Sequence, residues 1–166
     1  AGNFNLTNVD ELFTHLLELG QHPTQRTDTI TVMQKIGHFL DRENERLFRQ
    51  FKEQTDDNRE ISRLIHEHLD VAAILRESSK KWDGGYVMSG LIGHGDGFVL
   101  RDPNGIRPAY FYHDDEIVAA ASERCRLQTG FNVPIGSVEE IRPGHALIVK
   151  KNGTHSQEQI LETQKR

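Results

Sequence analysis

Only one cysteine, Cys125, occurs in 166 residues. An internal disulfide is therefore impossible, and so is a multi-thiolate metal site within the chain. A lone thiol suits a cytoplasmic setting. No apolar run approaches the ~18 residues that a membrane-crossing helix requires. The chain does not open on a charged stretch followed by an apolar one, so nothing reads as a signal peptide. Clustered basic charge is missing too: the net charge is -5 with both signs interspersed, which argues against a nucleic-acid partner. The nine histidines are scattered and none falls in an H-E-x-x-H spacing. His66 and His68 stand two apart on an expected helix and face different directions. No metal site is expected. Gly90, Gly93, Gly95 and Gly97 are followed by no Walker lysine and no helix, so they read as hairpin glycines rather than a phosphate cradle. Repeats and low-complexity segments are absent.

What is present is a polar globular chain, 36% hydrophobic with mean hydropathy -0.61, long enough for one domain with a real core. Its first half is helical in pattern. Asn8 with Glu11 reads as a capping box, followed by Val9, Leu12, Phe13, Leu16 and Leu17 at helical spacing and a stop at Gly20. Asp28 reads as the next N-cap. Ile30, Met33, Ile36, Phe39 and Leu40 form the expected buried stripe behind it. Gly37 would then mark close packing. Asp41 to Asn58 is charge-dense, a helical extension or a surface insertion, anchored by Leu47, Phe48 and Phe51. A third helix is expected from about Asn58 to Lys80.

The pattern changes after Trp82. Tyr86 to Ile92, Gly97 to Leu100, Ala109 to Tyr112 and Ile117 to Ser122 read as strands between short turns. Further short strands are expected within Val133 to Ile141 and at Ala146 to Lys150. Asn152-Gly153 is a hairpin signal, and His155 to Arg166 reads as a frayed or weakly helical tail. Turns this short join antiparallel strands, because a parallel crossover needs about a dozen residues. The expected class is α+β, helices on one face of a mostly antiparallel sheet.

Four places carry possible chemistry. Arg101-Asp102-Pro103-Asn104-Gly105-Ile106-Arg107-Pro108 packs two prolines, a glycine, two arginines and an aspartate into one turn, so a charge network beside a sheet is expected there. Cys125 stands between Arg124 and Arg126, which would lower a thiol pKa if the side chains converged, but no base can be assigned and a structural cysteine is favoured. Asn3 and Asn5 are equally good as oxyanion donors or as turn residues. Asp28, preceded by Thr27, is an N-cap or a ligand for an ammonium group, with the N-cap favoured.

In order and approximate spacing these pieces resemble the class II glutamine amidotransferase domain of the amidophosphoribosyltransferase family. Asn3-Phe4-Asn5-Leu6-Thr7-Asn8 is similar to the family's N-G-N-L-T-N, Thr27-Asp28-Thr29 to its T-D-S, and Gly85-Tyr86 through Gly95 to its G-A-Y strand. Arg101 to Pro108 is similar to R-D-P-x-G-I-R-P, Ala121-Ser122-Glu123 to A-S-E-S, and Pro143-Gly144-His145 to P-G-E. The resemblance is weakest over Asp41 to Lys80. It implies an N-terminal nucleophile hydrolase fold, an αββα sandwich, here incomplete because the family's N-terminal part is missing. It implies a partial amidotransferase domain at 1–153, and a tail at 154–166 leading to a phosphoribosyltransferase domain that is not in this chain. It implies Asn3 and the backbone N–H of Phe4 as oxyanion donors, with Asp28 and Thr27 binding substrate, Asp28 through the α-ammonium of glutamine.

The family's nucleophile is an N-terminal cysteine; residue 1 here is Ala. The arginine that grips the substrate carboxylate lies upstream of Asn3 in the family. This chain alone is therefore expected to be inactive, as part of a parent that hydrolyses glutamine and passes ammonia to phosphoribosyl pyrophosphate in purine biosynthesis. Glutamine is the expected partner, and a homo-oligomer the expected assembly. No cofactor is expected within this chain; Mg²⁺ would serve phosphoribosyl pyrophosphate on the absent domain. Asp114-Asp115-Glu116-Ile117-Val118 only superficially resembles the acidic ribose-phosphate loop of phosphoribosyltransferases, because Ala119-Ala120-Ala121 follows in place of phosphate donors. The alternatives are the glutaminase domain of an asparagine synthetase, with its similar R-D-x-x-G turn, and an inactive amidotransferase-like regulatory module.

Overall fold

The computed structural model describes residues 1–163, and it is α+β with antiparallel sheets. The chain divides into a sheet unit, 1–7 with 83–166, and a helical unit, 8–82.

The helical unit holds α1 (Val9–Glu18), α2 (Asp28–Lys52), α3 (Asn58–His68) and α4 (Val71–Ser79). Leu12, Phe13 and Leu16 of α1 are buried as their spacing requires, and Gly20 at φ +78° ends the helix. The capping box does not form. Asn8 makes no capping bond; its amide donates to the Lys81 carbonyl (2.8 Å) and to Glu11 Oε2 (3.2 Å). The Asn8 side chain thus acts as a donor to a distant carbonyl and not as the acceptor that a cap requires. Thr27, not Asp28, caps α2: its hydroxyl accepts from the Ile30 N–H at 3.3 Å.

The buried face of α2 is also rotated from expectation. Thr31, Val32, Lys35, Leu47 and Phe51 are inside, whereas Met33 is 64% exposed and Phe48 is exposed. Nothing crowds Gly37. The charge-dense stretch is the second half of this single 25-residue helix. Its charges pair at i,i+3 and i,i+4, as in Arg46–Glu43 (2.7 Å) and Arg49–Glu45. Such pairs contribute about 0.3–0.5 kcal/mol each. The expected third helix is two. The chain turns at Leu69-Asp70, and the Asp70 carboxylate accepts from the Ala73 N–H at 2.9 Å to start α4. The aspartate inside that apolar pattern is an exposed N-cap.

Lys35 is 1% exposed and donates to the Lys80 carbonyl at 2.5 Å. Burial, reinforced by Lys81 and Lys80 and only partly opposed by Glu11, lowers its pKa to about 8.

The sheet unit contains β1 (Gly2–Leu6), β2 (Gly84–Leu91), β3 (Gly97–Arg101), β4 (Tyr110–His113), β5 (Val118–Ala121), α5 (Arg124–Phe131), β6 (Glu139–Glu140), β7 (His145–Val149) and β8 (His155–Gln159). Three elements depart from expectation. Asn3 to Asn5 are strand, not turn, and His155–Gln159 is a strand paired along β7 rather than a frayed tail. The last three residues of that expected tail lie outside the described residues. α5 had no helical signature in the sequence, since only Leu127 of it is buried.

One sheet has the order β1-β2-β3-β7-β8 and the other β5-β4-β6, with all pairings antiparallel. Ala109, Phe111 and Ile141 pack with Leu147, with Val87, Val99, Val118 and Val149 around them, so the two sheets share a core. Strand alternation sends Tyr110 and Tyr112 to the opposite face of β4. There Arg124 of α5 lies 4.9 Å over the Tyr110 ring, and Phe131 stacks on Tyr112 at 5.5 Å. Among the described residues no helix is long and apolar enough to cross a membrane, and no cluster of three His, Cys, Asp or Glu could hold a metal ion.

Candidate functional site

The turn from Arg101 to Pro108 is organised around two buried charged side chains, Asp102 and Arg101. Asp102 is fully buried, and its carboxylate accepts from the N–H groups of Asn104 (3.0 Å), Ile106 (2.9 Å), Arg107 (3.0 Å) and, more weakly, Tyr86 (3.4 Å). Its own N–H and C=O bond Tyr86 and Gly144. The Arg101 guanidinium is spent on the carbonyls of Arg107 (2.7 Å), Ile141 (2.6 Å) and Gly105 (3.3 Å) and on Glu140 (2.6 Å). Gly105 and Gly144 sit at φ +67° and +71°. A Cβ on Gly144 would lie 2.5 Å from the Leu161 carbonyl oxygen, so both turns require glycine. The expected charge network is thus present, and it ties β3 to the Arg142–His145 turn.

That brace fixes one wall of a groove of about 550 Å³ beside the inner face of β1, β2 and β3. Asn3, Val87, Val99, Arg107, Ser122 and Glu123 line it. Asn3 pairs with Val87, and strand alternation puts both side chains on this face. The ladder then fixes the Phe4 amide. Ala1 and Ser89 exchange hydrogen bonds (2.9 and 2.8 Å), and Thr7 bonds Asp83, so odd-numbered residues of β1 point their N–H groups at β2. By alternation Phe4 directs its N–H away from β2, and β1 is the end strand of its sheet. Asn3 and Phe4 therefore offer adjacent donors at right angles, one off the inner face and one in the sheet plane at its edge. The phenylalanine is accommodated without a positive φ, and its ring lies over Gly2.

Thr27 and Asp28 belong to the helical unit. Thr27 is occupied as a cap, and Asp28 Oδ1 accepts from the Thr29 N–H at 2.9 Å in the first turn of α2. Cys125 does not line the groove and is not in the core. It is exposed on α5, its Sγ 3.6 Å from a Glu123 carboxylate oxygen. Arg107, Ser122 and Glu123 carried no site expectation from the sequence. Their only signal was membership of the two motif-like segments, 101–108 and 121–123.

Elsewhere in this unit, Asp96 (2% exposed) accepts from Lys150 (2.8 Å) and the Lys151 N–H (2.9 Å), and His94 Nε2 lies 3.0 Å from its carboxylate. Burial alone would raise its pKa; these partners outweigh it and hold the carboxyl below its ordinary value.

Solved structures share this arrangement of strands and helices. The glutamine phosphoribosylpyrophosphate (PRPP) amidotransferase of B. subtilis, complexed with ADP and GMP, superposes on 97% of the chain with a TM-score of 0.62 and 22% identity. The fold is shared with PRPP amidotransferase. A second structure, described as the allosteric regulatory enzyme of purine biosynthesis, gives the same TM-score and coverage at 21% identity. At these identities the likeness is one of fold, and the chain spans 28% of the length of either structure. No family model matches the chain, and no curated protein matches it in sequence.

Proposed function

We propose that the chain is part of the glutaminase domain of an amidophosphoribosyltransferase and that the groove beside β1 receives the side-chain amide of glutamine. The observation that carries this is the pair of donors at Asn3 and Phe4, set side by side at the edge of a fold shared with PRPP amidotransferase. When a nucleophile adds to an amide carbon, negative charge develops on the carbonyl oxygen. A side-chain N–H from Asn3 and the main-chain N–H of Phe4 can both donate to it. One such donor is worth roughly 10²–10³ in rate.

The nucleophile comes from outside this chain in this reading, since Cys125 is not in the groove. The reading includes Asp28 as the site of the α-ammonium, homo-oligomerisation of the parent, and phosphoribosyl pyrophosphate with its Mg²⁺ on a further domain. The resemblance in motif order and the shared fold support it.

The test is a titration with L-glutamine followed through the amide signals of Asn3 and Phe4 by NMR. Saturable shifts in both are expected, weakened by Asn3→Ala, with no ammonia released above a buffer blank. Unmoved signals at saturating glutamine, or ammonia release by this chain, would contradict the reading.

A further inference from the structure

His113 ends β4 and His155 begins β8, strands of different sheets. Alternation puts His113 on the same face of β4 as Phe111, a residue of the shared core. His155 stands opposite Val149 of β7, which packs against that core. Both rings therefore lean into the margin of the space between the sheets. They meet there with centroids 4.4 Å apart and planes at 51°. The Phe111 ring lies near both, at 6.1 Å from His113 and 6.3 Å from His155. Water reaches the pair, since the His113 side chain is 42% exposed and His155 is half-buried. Among the described residues no hydrogen bond holds the His155 ring, and the His113 ring has only Glu139 Oε1, 3.5 Å from its Nε2.

We propose that His113 and His155 bind a divalent transition-metal ion, Zn²⁺ or Cu²⁺, that clamps one sheet to the other. Imidazole nitrogen suits these ions, whereas Mg²⁺ and Ca²⁺ take oxygen ligands. Two imidazoles that ligate one ion at about 2.0 Å hold their ring centroids roughly 5 Å apart. The observed separation is close to that, so side-chain rotation suffices and neither strand has to move. Glu139 faces Nε2 of His113, which leaves Nδ1 for the ion and sets up the carboxylate–histidine–metal order that raises a ligand's basicity. Asp114 adds negative charge nearby but no ligand, because its carboxylate accepts from Tyr112 and from the Glu116 and Ile117 N–H groups. Among the described residues no three such side chains form a ready cage, so two protein nitrogens hold the ion and water fills its other positions. Neither histidine lines the groove beside β1, so the ion is structural and independent of the glutamine reading. It would link β4 to β8, which no main-chain ladder joins.

The experiment is a titration of the whole chain with ZnCl₂, followed through the imidazole nitrogen signals by NMR. The nine histidines supply their own controls. The signals of His113 and His155 should move together and saturate at one equivalent while the others stay. MgCl₂ at the same concentrations should move neither. His113→Ala and His155→Ala should each remove the saturable step, because one imidazole cannot chelate. Glu139→Gln should keep the step and weaken it about 10- to 100-fold, the usual cost of losing the carboxylate behind a ligating histidine. Zn²⁺ should also raise the thermal midpoint of the wild-type chain and of neither alanine variant, since an ion bound only by the folded state stabilises it.

Both histidines are partly exposed, so the alanine variants should fold. If one does not, the wild-type signals and Glu139→Gln decide the matter. Shifts that do not saturate, shifts spread over exposed histidines such as His66 and His68, an equal response to Mg²⁺, or an unchanged affinity in His155→Ala would each overturn the proposal. None of these results bears on whether glutamine enters the groove.

Discussion

Replacing Lys35 with methionine should change how stability depends on pH more than it changes stability itself. The lysine is 1% exposed, and its pKa falls from 10.5 to about 8 in the folded state. At about 1.36 kcal/mol per pH unit, that difference means burying the charged form costs about 3 kcal/mol. The unfolded chain holds more protons than the folded one between about 8 and 10.5, so wild-type stability rises with pH across this window. Below pH 8 the cost is constant, and above 10.5 it is gone.

Methionine removes the cost but leaves the Lys80 carbonyl without its 2.5 Å donor, a loss of about 1–3 kcal/mol. At pH 7 the variant should therefore be from equal to about 2 kcal/mol more stable. Its advantage over wild type should shrink by about 3 kcal/mol from pH 8 to 10.5 and end as a deficit. Urea unfolding followed by Trp82 fluorescence reads this directly, because Trp82 is the sole tryptophan, is 6% exposed, and lies in the helical unit with Lys35. Taking the difference between variant and wild type cancels the other lysines and tyrosines that titrate in the same range. A difference curve flat to within about 0.5 kcal/mol, the usual scatter of additivity between sites, would refute the argument.

Asp102→Ala should destabilise the sheet unit by about 3–5 kcal/mol, measured by urea denaturation, because it leaves buried backbone N–H groups without an acceptor. Gly144→Ala should cost more than the ~1 kcal/mol of an ordinary glycine replacement, since it adds a contact with the Leu161 carbonyl to an unfavourable φ; thermal unfolding reads it. Asp96→Asn should flatten the acid limb of stability. The folded pKa is depressed, so the carboxylate's contribution is complete above its ordinary value of 3.8 and is lost as pH falls through the lower folded value. Asn3→Ala should leave the unfolding midpoint within about 0.5 kcal/mol of wild type, because Asn3 is exposed, while weakening glutamine binding.

Local pattern made several elements legible. Apolar spacing in α1, alternation in β2 and β3, and the Asn152-Gly153 turn all depend on neighbours within a few residues. Elements whose partners lie far away were not legible. Asn8 prefers a carbonyl 73 residues on to its own helix end. His155–Gln159 looked like a tail because its polar residues become strand only by pairing with β7. Helix α5 buries a single leucine and gains its packing through Arg124 and Phe131 on two tyrosines of β4. The break at Asp70 was visible in principle, since aspartate followed by an apolar run is a capping signal, but the continuous apolar pattern hid it.

The candidate site divides in the same way. The segment order from Asn3 to His145 by itself pointed to the amidotransferase resemblance and to the constrained turn at Arg101–Pro108. Glycine and proline requirements are local, and they survive as motifs. Tertiary structure alone decided what each charge in that turn does. Asp102 and Arg101 found their partners in main-chain groups across the strands, whereas Arg107, six residues from Arg101, was left facing the groove. It also decided that the Phe4 N–H faces an open edge, because that depends on which residues of β1 are paired to β2. Side-chain type is written in the sequence, but the direction of a donor is set by the ladder that holds it.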